Sequence, residues 1–280
     1  MITYIKGDMF ESPAKVIVNT VNTDGVMGKG VALEFKKRYP DMYLYYKSIC
    51  ENKSLTVGKL ALWKDGEKWV LMFPTKIHWR NPSKLEYIES GLKKLAEYWD
   101  KIGTNTMAFP RLGCGNGGLD WADVRPLMEK YLCKIPIQIY IYVDNYSDPK
   151  PEYSEISEVE KWIAGEECVD GYSKFRMKLH NIISRNGTVS LGSGRYRVND
   201  DNGVLTIDDI EVKDHDLCLF WNWIRDAGII PNKDIPEEYK EISDVIMELM
   251  RRIGYLSTII VSRNGMDFPT VPNAYQYIAD

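Results

Sequence analysis

The chain has 280 residues, of which 44% are apolar and 27% charged, with a formal net charge of −4. This is the balance of a soluble globular protein long enough for one large domain or two ordinary ones. The start, MITYIKGDMFESP, lacks a basic segment followed by an apolar core, and no run of eighteen apolar residues follows, so a cytoplasmic protein is expected. Cys50, Cys114, Cys133, Cys168 and Cys218 are odd in number and scattered, without CxxC spacing or a nearby histidine pair. Neither structural zinc nor a disulfide framework is expected, and no metal site is assigned.

The two halves differ in charge. Residues 1–150 carry 22 Lys+Arg and 17 Asp+Glu, a net of +5, whereas residues 151–280 carry 14 and 23, a net of −9. The first half therefore suits polyanions and the second repels or imitates them, unless both are simply solvated surfaces of different composition.

The first half alternates strand and helix signals, the pattern of a sheet covered by helices. ITYI and KVIVNTV read as β-branched strands, and GKGVALEFKKRYP as the helix that follows a Gly-rich turn. Pro40 and Asp41 open a further helix through MYLYYKSI; KLALW, a turn at Asp65 and Gly66, and KWVLMF form a hairpin. Leu85, Ile88, Leu92, Leu95 and Trp99 recur at spacings of three and four, which predicts a helix with one buried face. TNTMAFP is a strand, WADVRPLMEKYL a helix, and IPIQIYIYV an apolar strand suited to a sheet interior.

DNYSDPKPEYSE, from Asp144 to Glu155, has turn formers and no periodicity and reads as an interdomain linker, dividing the chain into 1–147 and 148–280. Beyond it the pattern predicts a helix near Tyr172 to Ile183, strands around VSLGSGRYRV with a turn at Asn202 and Gly203, and a Trp-rich helix over LCLFWNWIRDAG. Ile235, Tyr239, Ile242, Ile246, Leu249 and Ile253 mark a longer helix, stopped by Gly254 and followed by the strand LSTIIVS. This half reads as a smaller α+β domain. Trp221 and Trp223 fall on opposite sides of their helix, so one is either a surface anchor or, like its neighbour, part of the core.

Two turns carry chemistry. In NTVNTDGVMGKGVALEF, residues 19 to 35, a strand runs into Gly25, Gly28 and Gly30 and then a helix. Glycine lets backbone approach a phosphate, and a helix N-terminus offers unpaired N–H groups, so a diphosphate ligand fits, as does a plain tight turn. Neither GxxxxGK[ST] nor GxGxxG is present, which removes the ATPase and dinucleotide-fold signatures. RLGCGNGGLDW, from Arg111 to Trp121, repeats the strand, glycine turn, helix arrangement, and two such turns at one sheet edge can clasp a diphosphate from both sides. Cys114 within it has no visible histidine partner and reads as a small buried thiol rather than a nucleophile.

KGDMF, NTVNTDGVMGKGVALEFKKRYP, FPTKIHWR and FPRLGCGNGGLDW stand in the order and spacing of macrodomains, and over residues 1 to 145 the chain resembles the branch holding the DarG antitoxins and terminal ADP-ribose glycohydrolases. The resemblance implies a three-layer α/β/α domain with a mixed sheet and a cleft for ADP-ribose at the strand ends. It implies that Asp8 accepts from the adenine amino group with Met9 beside the ring, and that Asn22 reaches the distal ribose. It implies further that Gly28, Lys29, Gly30 and Val31 cradle one phosphate, and Gly113, Cys114, Gly115, Asn116, Gly117 and Gly118 the other. Tyr142, Asn145 and Tyr146 are alternatives for stacking on adenine.

In the DarG branch a motif like TK-x-HW places a catalytic lysine, which falls on Lys76, between Thr75 and the supporting His78 and Trp79. A desolvated amine there can attack the distal ribose carbon to give a Schiff-base type adduct, or its charged form can stabilise the leaving group. The first role needs a pKa below roughly 10.4, from burial or positive neighbours, for which Arg80 and Lys29 are candidates. Related glycohydrolases carry an aspartate after the GCG turn; Gly117 stands there, and Asp120 is placed to cap the next helix.

By resemblance the substrate is ADP-ribose on thymine bases of single-stranded DNA, with no cofactor, and Lys36, Lys37 and Arg38 either meet its phosphates or form a solvated helix face. The alternatives are removal of phosphate from ADP-ribose 1″-phosphate, deacylation of ADP-ribosyl esters, or binding of ADP-ribose without catalysis. The acidic second half, unrecognised by sequence, suits the inhibition of a DarT-like ADP-ribosyltransferase. No membrane partner is expected.

Overall fold

The computed structural model describes residues 1–145, 171–201 and 204–278. Beyond Asn145 the expected linker lies outside the described residues, as do Tyr146, Cys168 and the turn at Asn202 and Gly203. The chain divides into two compact units, Met1–Tyr146 with Val261–Pro269, and Ser147–Ile260 with Thr270–Asp280. A single cut in the sequence does not anticipate the return of Val261–Pro269 to the first unit. There the Arg125 guanidinium donates to the Asn264 carbonyl at 3.0 Å.

In the first unit the strands are β1 (Ile2–Lys6), β2 (Val16–Val21), β3 (Ala61–Trp63), β4 (Trp69–Pro74), β5 (Thr106–Pro110) and β6 (Gln138–Asp144). They lie in the order β1-β6-β5-β2-β4-β3. All neighbouring pairs are parallel except the hairpin of β3 with β4. The helices are α1 (Gly30–Arg38), α2 (Pro40–Glu51), α3 (Leu85–Tyr98) and α4 (Trp121–Leu132). Strand alternation sends Val16, Val18, Leu71, Phe73, Met107, Phe109, Ile139 and Ile141 to one face. They pack there against Ile88, Leu92 and Leu95 of α3 and Val124, Met128 and Leu132 of α4. The intervening Ile17, Asn19, Val70, Met72 and Ala108 are equally buried under the opposite layer. That layer holds the buried Met27, Phe35, Met42 and Tyr46, with Met27 Sδ 3.8 Å from Asn19 Nδ2. This is the expected three-layer α/β/α arrangement around a mixed sheet.

The connections place the cleft. From β2 the chain turns into α1 on one face; from the adjacent β5 it turns into α4 on the other. Neighbouring strands whose connections diverge leave a crevice at their carboxyl ends, where ligands bind in open α/β sheets.

The second unit is α+β. It contains α5 (Gly171–Arg185), β7 (Thr188–Leu191), β8 (Gly194–Asp201), β9 (Val204–Ile207), β10 (Ile210–Val212), α6 (Asp214–Ala227), β11 (Ile229–Pro231), α7 (Lys240–Arg252), β12 (Leu256–Ser262) and β13 (Ala274–Tyr277). β7 to β10 form an antiparallel meander, while β13 pairs antiparallel with both β11 and β12. The predicted helix from Ile235 starts late: Pro236 holds Ile235 extended, Glu237–Tyr239 is a 3-10 turn, and α7 begins at Lys240. Trp221 is buried in this unit's core and Trp223 packs against it, which settles both as packing residues.

Candidate active site

Because the five central strands are parallel, their carboxyl ends share one edge, and the loops that follow them meet there. The Lys76 ammonium, just past β4, donates to the Asn116 carbonyl in the turn after β5 at 2.5 Å. On the other side of that turn, a Cβ built on Gly30 would lie 2.5 Å from Asn116 Nδ2. Gly30 has φ of +59°, a backbone conformation that favours glycine. Lys76, Gly30 and Asn116, from three loops, thus converge.

Burial pulls the pKa of the Lys76 ammonium below its ordinary value of 10.5. No cationic neighbour contributes to that shift, contrary to the expectation for Arg80 and Lys29. The Arg80 guanidinium instead stacks on the Trp79 ring, 4.5 Å from its centroid. Lys29 is exposed and precedes the first turn of α1.

The lysine loop is tied at both ends. Thr23 donates to the Ile77 carbonyl through its N–H at 3.1 Å and its hydroxyl at 2.8 Å. Asp24 accepts the Trp79 N–H at 3.1 Å and lies 3.6 Å from His78 Nε2. His78 Nδ1 accepts the Arg80 N–H at 3.2 Å, so this ring serves the loop rather than the lysine. Downstream, the Ser83 N–H donates to the Gly117 carbonyl at 2.9 Å. Thr75 is buried, with its N–H on the Val21 carbonyl at 2.8 Å, continuing the β2–β4 pairing.

Asn22 is almost wholly occupied by its own loop. Its Oδ1 accepts the N–H groups of Asp24 at 3.0 Å and Val26 at 3.2 Å, and its Nδ2 donates to the Val26 carbonyl at 2.6 Å. The buried Tyr46 hydroxyl donates to the Asn22 carbonyl at 2.8 Å. Tyr46, Asp24 and Ser83 were not singled out from sequence. Their only sequence signal was Tyr46's place on the apolar face of α2, with Met42 and Cys50.

Both glycine turns offer backbone donors. In the second, Cys114, Gly118 and Leu119 donate within the turn. Among the described residues, the N–H groups of Gly115, Asn116 and Gly117 have no such partner. In the first, Gly30, Val31 and Ala32 begin α1, where N–H groups lack intrahelical acceptors, with Gly28 exposed before them. Gly113, at φ +71°, is buried under Leu119 and Ser83. A Cβ on Gly117 would fall 2.1 Å from the Gly113 carbonyl oxygen and 2.4 Å from Ser83 Oγ. The aspartate of related glycohydrolases therefore has no room in this turn. Asp120 caps α4, accepting the Ala122 N–H at 2.9 Å. Burial pushes the Cys114 thiol up to about 11, which makes it inert near neutrality.

At the far end, Asp8 accepts the Phe10 N–H at 2.9 Å and lies 3.9 Å from the Arg38 guanidinium, while Met9 is buried. Tyr142 is buried within β6, and Asn145 is exposed at its end. The Lys36, Lys37 and Arg38 cluster is largely committed elsewhere. Arg38 and Lys37 pair with Glu34 at 2.8 and 3.8 Å, and Lys36 lies 4.2 Å over the Tyr43 ring.

Comparison with known proteins decides the family. A model of the Macro domain matches residues 18–128. The macrodomain of Mycobacterium tuberculosis DarG is 44% identical, over 51% of this chain and 97% of that one, with a TM-score of 0.49. The chain belongs to the macrodomain family. A DNA ADP-ribosyl glycohydrolase of Mycobacterium tuberculosis is 45% identical over 49% of this chain and 40% of its own length. A DNA ADP-ribosyl transferase-DNA ADP-ribosyl glycohydrolase fusion protein of Thermosipho africanus is 44% identical over 50% of this chain and 42% of its own. The chain therefore spans about two fifths of the length of these curated relatives, and the likeness lies in its macrodomain half. Among the described residues no helix is long and apolar enough to cross a membrane.

Proposed function

We propose that this macrodomain protein is a cytoplasmic ADP-ribosyl glycohydrolase that removes ADP-ribose from a thymine base of single-stranded DNA. The observation that carries the reading is the Lys76 ammonium, partly desolvated and held against the Asn116 turn between two glycine loops. In this reading Asp8 and Met9 receive the adenine end. The backbone donors of Gly28–Val31 and Gly113–Gly118 hold the diphosphate, and the distal ribose carbon lies beside Lys76.

Neutral Lys76 attacks that carbon, forming a C–N bond as the bond to the base breaks. The bonding pair leaves with the base nitrogen, which takes up the proton released from the new ammonium. Ring opening gives an imine; addition of water releases ADP-ribose and restores the amine. The desolvation that lowers the Lys76 pKa raises the fraction of neutral amine available for this step.

The acidic region 148–280 is the proposed docking surface for a DNA-modifying ADP-ribosyltransferase, resting on its net charge of −9. The decisive experiment incubates the protein and its Lys76→Ala variant with thymine-ADP-ribosylated single-stranded DNA. Release of ADP-ribose by the wild type alone supports the reading. Equal release by both removes the lysine mechanism, and release by neither turns to ADP-ribose 1″-phosphate and ADP-ribosyl esters as substrates.

A further inference from the structure

Trp79 stands on the rim beside the lysine loop with much of its ring open to water. His78 to Asn81 form a turn closed by the Asn81 N–H on the His78 carbonyl at 3.0 Å, which puts Trp79 and Arg80 at its two central positions. Trp79 is 42% exposed and its neighbour Ile77 52% exposed, so large apolar side chains crowd this rim in water. The Arg80 guanidinium lies over the Trp79 ring, and the His78 ring lies 6.0 Å away at an interplanar angle of 25°. The turn is braced on one side by Thr23 and Asp24 and on the other by Gly117, so the aromatic group is held in place before any ligand arrives. Three residues of chain keep the Trp79 and Lys76 Cα atoms within roughly 11 Å of each other.

We propose that Trp79 and Arg80 form a stacking platform for a nucleobase flanking the modified one on the same single strand, a role that rests on the DNA glycohydrolase reading above. Stacking on an aromatic face is tolerant of base identity, because every base presents a π-face, and a guanidinium over that ring is held by the same electron density. Arg80 adds a fixed positive charge to which the strand's phosphates are attracted. The platform makes the protein prefer an unpaired strand, whose bases are free to stack outward, over a duplex.

The test compares two substrates bearing the same linkage, an ADP-ribosylated thymidine nucleoside and an ADP-ribosylated thymine within a single-stranded oligonucleotide. Trp79→Ala is expected to raise KM for the oligonucleotide roughly 10- to 100-fold more than for the nucleoside, and to be rescued by Trp79→Tyr. Equal losses on both substrates, or no loss on the oligonucleotide, overturn the platform. If the wild type releases ADP-ribose from neither, the glycohydrolase reading fails, and the platform is judged by fluorescence anisotropy of unmodified single-stranded DNA. Weaker binding by Trp79→Ala than by wild type then sustains it, and equal binding overturns it.

Discussion

The Lys76 ammonium and the Asn116 carbonyl, forty residues apart in the chain, share a hydrogen bond of 2.5 Å. It joins the end of β4 to the glycine turn after β5 and holds the proposed nucleophile against the backbone that would receive phosphate.

The pH profile separates the two roles of Lys76. Burial lowers its pKa from 10.5, so a nucleophilic lysine becomes competent as pH rises through the lowered value. Turnover should climb with pH and level off above it, with a midpoint below 10.5. An ammonium that only stabilises the leaving group gives the opposite slope. Lys76→Arg keeps the charge and has no accessible neutral form, so it should lose on the order of 10³-fold or more in kcat under the nucleophilic role.

Restoring the aspartate of related glycohydrolases should harm the protein. In Gly117→Asp the new Cβ meets the Gly113 carbonyl oxygen at 2.1 Å, and backbone cannot yield as a flexible side chain can. A loss of about 1–3 kcal/mol by denaturant titration is expected, with turnover reduced. A more active and equally stable variant would show that the turn has another conformation to adopt.

Asn22→Ala tests whether the loop depends on that carboxamide. It strips acceptors from the Asp24 and Val26 N–H groups and a donor from the Val26 carbonyl, for an expected loss of about 1–3 kcal/mol in stability. Tyr46→Phe removes the hydroxyl that donates to the Asn22 carbonyl and should cost about 1 kcal/mol. If calorimetry shows ADP-ribose affinity falling for Asn22→Ala and holding for Tyr46→Phe, the side chain serves ligand as well as loop.

Cys114 should be a bystander. With its thiol near 11, very little thiolate exists at neutral pH, so iodoacetamide should label the native site slowly and Cys114→Ser should keep activity. Fast labelling with loss of turnover would contradict both its burial and its assigned silence.

The second unit has its own weak point. Arg176 donates to both oxygens of Asp200 at 2.8 and 3.1 Å and to Asp214 at 2.8 Å, and the Asp200 side chain is only 2% exposed. Arg176→Ala leaves that carboxylate buried without its main counter-charge, which should cost about 3–5 kcal/mol. A thermal melt that reports the second unit should shift strongly, and an unchanged melt would mean that His180, 3.2 Å from Asp200, can replace the arginine.

Much of the architecture follows from short-range chemistry. The β-branched run in KVIVNTV, the apolar run in IPIQIYIYV, the three-and-four spacing from Leu85 to Trp99, and the proline at position 40 each set an element where the chain meets it. The start of α7 was misplaced because apolar periodicity continued through Ile235 while Pro236 kept that residue extended. The glycine turns were visible too, since glycine at a strand end is a local pattern, whereas Lys76 was reached through the likeness of FPTKIHWR to the DarG-branch motif.

What those groups do to one another was decided only in three dimensions. Parallel strands bring loops forty to ninety residues apart to one edge, and no local pattern states which atoms then touch. Thus Arg80 left Lys76 for the Trp79 ring, Asn22 turned inward to its own loop, Lys36 to Arg38 found partners on their own surface, and Gly117 became a position where no side chain fits. The sequence by itself determined the elements and the chemistry at their ends; packing determined which groups meet, because desolvation and steric exclusion act across space and not along the chain.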